Sequence, residues 1–203
     1  MSEAEISDAM LMLRYQRGDR EAFATLVNRH KRRLYNFIVR QIGDLDTAEE
    51  LTQEAFLRVV QNASSFKHEA RFSTWLYTIG RNLCVDHLRR MTHRRHASLD
   101  EPTGPGSDPP ALSHKLVSEH PGSDAERRVQ SKQVLDCVMA AVDALPDEQR
   151  ETFLLREIAN LPFKEIAEVV GTSENTVKSR MRYALERLQS SLSQFEEYAR
   201  ALR

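Results

Sequence analysis

The chain has 203 residues, about 40% apolar and 29% charged, enough for one large or two small domains with real cores and too apolar for a disordered chain. No apolar run approaches the roughly 18 residues of a membrane-crossing helix, and the acidic start MSEAEISDAMLM lacks a signal-peptide charge pattern, so no membrane insertion and a cytoplasmic location are expected. The net charge of −1 conceals a segregation: residues 1–96 hold 16 Lys and Arg against 12 Asp and Glu, residues 97–126 hold 1 against 6, and residues 127–203 hold 12 of each, so the basic first segment hints at a polyanionic partner.

A short helix is expected near residues 7–17. Asp19 then fits an N-cap with Glu21 in the first turn, and Phe23, Leu26, Val27, Leu34, Phe37, Ile38 and Ile42 keep helical spacing until Gly43. Asp46 with Glu49 resembles a capping box for a helix reaching about Ala63, whose core stripe is Ala48, Leu51, Ala55 and Val59. A polar loop, SSFKHEAR, leads to a third helix over about 72–90. There Leu76, Ile79, Leu83 and His87 face inward, and Thr74, Thr78, Arg81, Val85 and Arg89 face outward, with Trp75, Tyr77 and Asn82 at the sides. Residues 97–126 hold five of the seven prolines and read as a flexible, acidic, Pro/Gly-rich linker. Val134, Val138, Ala141, Val142 and Leu145 make a helix stopped by Pro146, and PDEQRETFLLREIAN makes another. LPFKEIAEVVG and TSENTVKSRMRYALERL follow as a short helix, a glycine turn and a capped second helix, a helix-turn-helix pattern. No strand pattern or internal repeat stands out. The expected fold is all-α: two small helical bundles, residues 1–96 and 127–203, joined by the linker 97–126. Cys84 and Cys137 lie in helical surroundings without a paired motif and are expected buried and reduced.

Three surfaces look over-equipped for a plain bundle. On the last helix, Val177, Met181, Ala184, Leu185 and Leu188 share one side, while Asn175, Ser179, Arg182, Tyr183 and Glu186 lie opposite and Lys178 and Arg180 flank them. Arg182 and Asn175 suit base edges, and Lys178 and Arg180 suit phosphates; a solvated surface helix is the plainer alternative. On the second helix Leu57 points away from the core amid Glu50, Gln53, Glu54 and Val60, which suits a protein partner, although one exposed leucine alone means little. On the third, aromatics interleaved with arginines suit unstacked single-stranded bases, or else a core tryptophan with surface arginines. His87, His93, His96 and Cys84 match no strong zinc spacing, and no phosphate loop, nucleophile elbow or acid–base constellation appears, so no metal, no cofactor and no enzymatic activity are expected.

The ordered motifs GDREAFATLVNRHKRRLYNFI, DTAEELTQEAFLRVVQ, FSTWLYTIGRNLCVDHLRR and LPFKEIAEVVGTSENTVKSRMRYALERL resemble the extracytoplasmic-function (ECF) sigma factors, the small two-domain branch of the sigma-70 family. The resemblance spans nearly the whole chain. It implies a subunit of bacterial transcription initiation that brings core RNA polymerase to promoter DNA. By the resemblance, Glu50, Gln53, Glu54 and Leu57 dock on the β′ clamp, and the second domain meets the β flap. Phe66, Lys67, His68 and Glu69 form the loop that captures a flipped −10 base, and Trp75, Arg81 and Asn82 recognise and melt the −10 element. Glu174, Thr176, Lys178, Ser179, Arg180, Arg182 and Tyr183 read the −35 element. An anti-sigma factor is the further implied partner. Gly80 stands where the family often has alanine, and it either loosens its helix or permits close packing. The tail SSLSQFEEYARALR continues helical spacing and extends the last helix. An ordinary helix-turn-helix repressor would have no use for the Leu57 face, and a nucleic-acid enzyme would need a metal or general base.

Overall fold

The computed structural model describes residues 6–67, 71–99 and 136–201, with side chains described over 6–67, 71–94 and 136–193. Among the described residues every regular element is helical. Their order is α1 (Asp8–Gln16), α2 (Arg20–Ile42), α3 (Leu45–Gln61), a 3₁₀ turn (Ala63–Ser65), α4 (Phe72–Leu99), α5 (136–143), α6 (Asp147–Glu157), α7 (Phe163–Val170) and α8 (Glu174–Ala201). No helix among the described residues is long and apolar enough to cross a membrane.

The helix ends follow local chemistry. Ser7 caps α1 by accepting from the Met10 amide, and Asp19 caps α2 by accepting from Ala22. Gly43 ends α2 in the left-handed region at φ 81°, and Gly171 does the same for α7 at φ 72°, where a Cβ would be strained. The cap of α3 differs from the capping box expected at Asp46. It is Asp44, whose carboxylate accepts from Thr47, so the helix begins two residues earlier and ends at Gln61. α4 also runs past the expected stop near Arg90 to Leu99, three residues into the expected linker, because no glycine or proline interrupts it before Pro102. The rest of the linker lies outside the described residues.

The chain divides into two compact units, Met1–Gly106 with Leu154–Glu174, and Ser107–Phe153 with Asn175–Arg203. In the first, α1, α2, α3, α4 and α7 pack around Leu26, Leu34, Phe37, Ile38, Ala48, Ala55, Val59, Phe72, Leu76 and Ile166, all 0–1% exposed. Burying each larger side chain contributes about 1.5–3 kcal/mol against the chain's lost entropy. Phe23, Val27 and Ile42, expected in the core, are half-buried; Phe23 stacks on Tyr15 at 4.7 Å and meets Phe56 edge-on at 6.4 Å. Asp8 ties α1 to α2, its carboxylate 2.6 Å from His30 Nε2 and 2.8 Å from Arg29 Nη1. The half-buried carboxyl is held below the usual aspartate range, chiefly by the His30 hydrogen bond and also by that from Arg29, against the opposing effect of burial. Gly80 lies where a Cβ would come within 2.9 Å of Leu34 Cδ1, so of the two readings close packing is the one observed.

Three placements on α4 correct the helical wheel. Tyr77 is 1% exposed, edge-on to Phe37 at 5.4 Å, and not a flanking residue. Its hydroxyl has no partner among the described residues, and burial pushes its pKa well above the ordinary tyrosine value. Thr74, expected to face solvent, is buried under α7, and His87, expected inside, is only half-buried.

In the second unit Val142, Leu145, Val177, Met181, Ala184 and Leu188 are buried. Leu185, placed on the same side by the wheel, is 49% exposed: it lies 80° from Val177, outside the narrow arc that the buried residues occupy. Cys84 is buried as expected, but Cys137 is only half-buried; neither is in a disulfide.

Candidate nucleic-acid and protein interfaces

α3 divides cleanly. Ala48, Leu51, Thr52, Ala55, Phe56 and Val59 are buried, whereas Leu57 is 55% and Val60 40% exposed. Glu50 and Gln53 are exposed beside them, and half-buried Glu54 pairs with Arg58 at 3.0 Å. The result is an apolar pair with an acidic and amide rim, the arrangement of a protein-docking patch. Val60, placed beside Leu57 by the helical spacing, is exposed with it as expected.

The loop between α3 and α4 is anchored from beneath. Phe66 is 6% exposed and touches both Trp75, with centroids 5.2 Å apart, and Phe72, at 6.2 Å. Phe72 in turn lies 5.2 Å from the His30 ring. Gln16 on α1 donates to the carbonyls of Ala63 and Phe66 at 2.7 and 3.1 Å and fixes the loop's backbone from the other side. Lys67 is exposed; His68 and Glu69 lie outside the described residues. Trp75 is therefore half-buried, one part of its ring braced by Phe66 and Phe72 and the remainder available for stacking. Arg81 is half-buried and Asn82 exposed further along α4. Sequence reasoning gave no role to Gln16, Arg71 or Thr74. Gln16 makes contacts some 50 residues away, which no local pattern shows.

On α8 the side chains differ in freedom. Lys178, Ser179, Arg182 and Tyr183 are exposed, and Glu174, Thr176 and Arg180 are half-buried. Arg182 lies over the Tyr183 ring at 4.8 Å, and its Nε is 3.9 Å from Glu186. The guanidinium is thus oriented by stacking while most of it remains exposed, which suits bidentate contact with a base edge. Arg180 is different: its Nη2 is 2.8 Å from Glu148 of α6, with only 21% of the side chain exposed. α7 ends at Gly171, where the Gly171 and Thr172 amides both donate to Ala167, and a turn of three residues leads into α8.

No group of three or more His, Cys, Asp or Glu among the described residues is placed to hold a metal ion.

Comparison with known proteins gives the family of the chain. Residues 26–95 match the family model Sigma-70 region 2, and residues 135–188 match Sigma-70, region 4. The chain is 32% identical over 177 residues to the ECF RNA polymerase sigma factor SigW of Bacillus subtilis, covering 87% of this chain and 92% of that protein. It is 28% identical to the ECF RNA polymerase sigma-E factor of Escherichia coli, covering 95% of this chain and 97% of that one. Among solved structures, the sigma factor RpoE of Bartonella quintana, in complex with the anti-sigma factor NepR, has the same fold, with a TM-score of 0.64 at 23% identity over 84% of this chain and 96% of that chain. CnrH, in complex with the cytosolic domain of CnrY, gives a TM-score of 0.64 at 20% identity over 93% and 99%. The chain belongs to the extracytoplasmic-function sigma factors of the sigma-70 family.

Proposed function

We propose that this sigma factor uses three separate faces, with residues 1–96 serving polymerase docking and the −10 element, 97–126 serving as linker, and 127–203 serving the −35 element. The exposed face of α3, with Glu50, Gln53, Glu54 and Leu57, joined by Val60, docks on the β′ clamp of core RNA polymerase. Trp75, Arg81 and Asn82, with the loop of Phe66, Lys67, His68 and Glu69, hold the melted −10 strand. Phe66 serves this loop from below, as the support of Trp75, rather than by meeting a base itself. Glu174, Thr176, Lys178, Ser179, Arg182 and Tyr183 meet the −35 duplex, with Arg180 held back on Glu148, and the second domain contacts the β flap. The protein acts in the cytoplasm, without cofactor or catalysis of its own, under an anti-sigma factor of the kind named for its structural relatives. The observation carrying this reading is Leu57, 55% exposed on a helix that buries Leu51, Ala55 and Val59. With Val60, 40% exposed on the same helix, it makes an apolar pair inside a polar rim, which suits a polymerase dock.

The experiment is reconstituted transcription. Core polymerase with this chain should initiate from a promoter selected from a genomic library, and neither component alone should do so. Binding of duplex DNA by the chain alone, with no effect on core polymerase, would contradict the reading in favour of a repressor.

A further inference from the structure

Glu165 is a carboxylate in an unusual position. It sits on α7, is 9% exposed, and is aimed at the first turn of α4. Thr74 donates its hydroxyl to Oε2 at 2.6 Å, and Arg71 Nε lies 2.9 Å from Oε1, so each oxygen of the carboxylate has its own donor. Thr74 is itself buried by this contact, at 8% exposure, although its place on the helical wheel is on the outer face. A buried charge needs such partners, because removing it from water is costly. Arg71 and Thr74 have no other assigned task. Along the chain they fall between Lys67 and Trp75, within the segment assigned above to the melted strand.

An arginine N–H and a hydroxyl that hold the two oxygens of a carboxylate present the same donors to phosphate oxygens. We infer that Arg71 and Thr74 form a backbone-phosphate site for single-stranded DNA, and that α7 is a lid over it, latched by Glu165 occupying the phosphate's place. Lid and phosphate are mutually exclusive at this site: with α7 seated, the Thr74 hydroxyl is covered and given to Glu165. The inference rests on the assignment of α4 to the −10 strand. The Arg71 side chain is 71% exposed, so solvent screens its ion pair, and what the strand must chiefly displace is the packing of α7 at Ile166 and Val169, 0% and 4% exposed.

The test is a titration of the full chain against a fluorescein-labelled, mixed-sequence single-stranded DNA of about 20 nucleotides at low salt, read by anisotropy. Glu165→Gln removes the charge, and Glu165→Asp keeps the charge but shortens its reach. Both should bind about three- to tenfold more tightly than the parent, as expected for loss of one competing charged hydrogen-bond pair. Glu168→Gln, at an exposed position on the same helix, removes an equal charge and should leave binding unchanged. Adding Arg71→Ala to Glu165→Gln should cancel the gain. Unchanged or weaker binding by both Glu165 variants, in a chain where Arg81→Ala still lowers affinity, would overturn the latch alone. A gain indifferent to Arg81→Ala would place the DNA elsewhere and overturn the latch together with the −10 assignment. Should Glu165→Gln melt early, the charge-preserving Asp variant decides, and its failure to bind more tightly counts against the latch.

Discussion

Gln16 reaches from α1 to the carbonyl of Phe66, its amide nitrogen 3.1 Å away, and the ring of Phe66 lies under Trp75. A residue in the first helix therefore holds the platform on which Trp75 rests. Gln16→Ala removes two part-exposed hydrogen bonds and should cost only about 1–2 kcal/mol of stability. Transcription from a closed duplex should fall several-fold, with much less loss from a template whose −10 region is already open. Parallel assays on the two templates, with thermal melts of the free protein, check this. Equal loss on both would mean that the loop's position is immaterial to melting.

On the proposed reading Trp75 both packs on Phe66 and Phe72 and stacks on a base, and its variant should show both losses. Trp75→Ala removes ring contacts with Phe66 and Phe72 and should lower stability by about 1–3 kcal/mol. Beyond that, stacking on an unpaired base is worth roughly 1–3 kcal/mol, so the closed template should suffer more than the pre-melted one. The comparison is made below the variant's melting temperature, where circular dichroism shows it folded.

The arginines of α8 should separate by kind. Arg182, stacked on Tyr183 and 63% exposed, should read a base: Arg182→Ala relaxes preference at one −35 position by about 1–3 kcal/mol. Lys178→Ala should weaken all sequences alike and flatten the salt dependence by about one ion. Competition binding of the full chain across a promoter library checks both. A uniform loss from both variants would contradict the assignment.

Asp8 gives the fold a pH dependence. Its carboxyl is depressed below the unfolded value of 3.8 by the His30 hydrogen bond and then by that from Arg29, so the stability it contributes is present above that value and is lost as pH falls through the folded pKa. Asp8→Asn should cost about 1–2 kcal/mol at neutral pH. Its deficit should shrink below about pH 4, as the parent's own carboxyl takes up a proton. Denaturant melts of both proteins at neutral and acid pH would show the two curves converging.

What the sequence made legible was whatever depends on neighbours along the chain. Asp19 and Gly43 bound α2 as read, and the outward Leu57 follows from spacing within one helix. Asp46 reads as the cap of α3, but Asp44, two positions earlier, offers the same carboxylate and is the one that accepts from the Thr47 amide. Thr74 and Tyr77 could not be placed by a wheel, since α7 covers one and Phe37 meets the other from distant segments. Leu185 shows the opposite limit: the wheel gave its angle correctly, but the buried arc of α8 is narrower than an amphipathic helix usually shows. The resemblance supplied what neither spacing nor composition contains, namely the partner proposed for each face.

Gly80 tests the packing directly. Leu34 is fully buried and its Cδ1 would lie 2.9 Å from an added Cβ, so the core has little room to yield. Gly80→Ala gains helix propensity of about 1 kcal/mol and loses a comparable amount to crowding, leaving stability nearly unchanged. Gly80→Leu should destabilise by about 1–3 kcal/mol or more, because no rotamer shift of Leu34 admits a full side chain. Chemical denaturation of both variants measures this.

The most direct measurement of the central claim is a fluorescence titration of the Leu57→Ala chain against core RNA polymerase, paired with a thermal melt of the free protein. Leu57 is 55% exposed, so its removal should change folding stability by less than about 0.5 kcal/mol. Loss of a buried anchor at a polymerase dock should weaken binding by about 1–3 kcal/mol, up to roughly a hundredfold in Kd. Weaker core binding with an unchanged melt is the predicted result; unchanged core binding would contradict the α3 face as the docking surface.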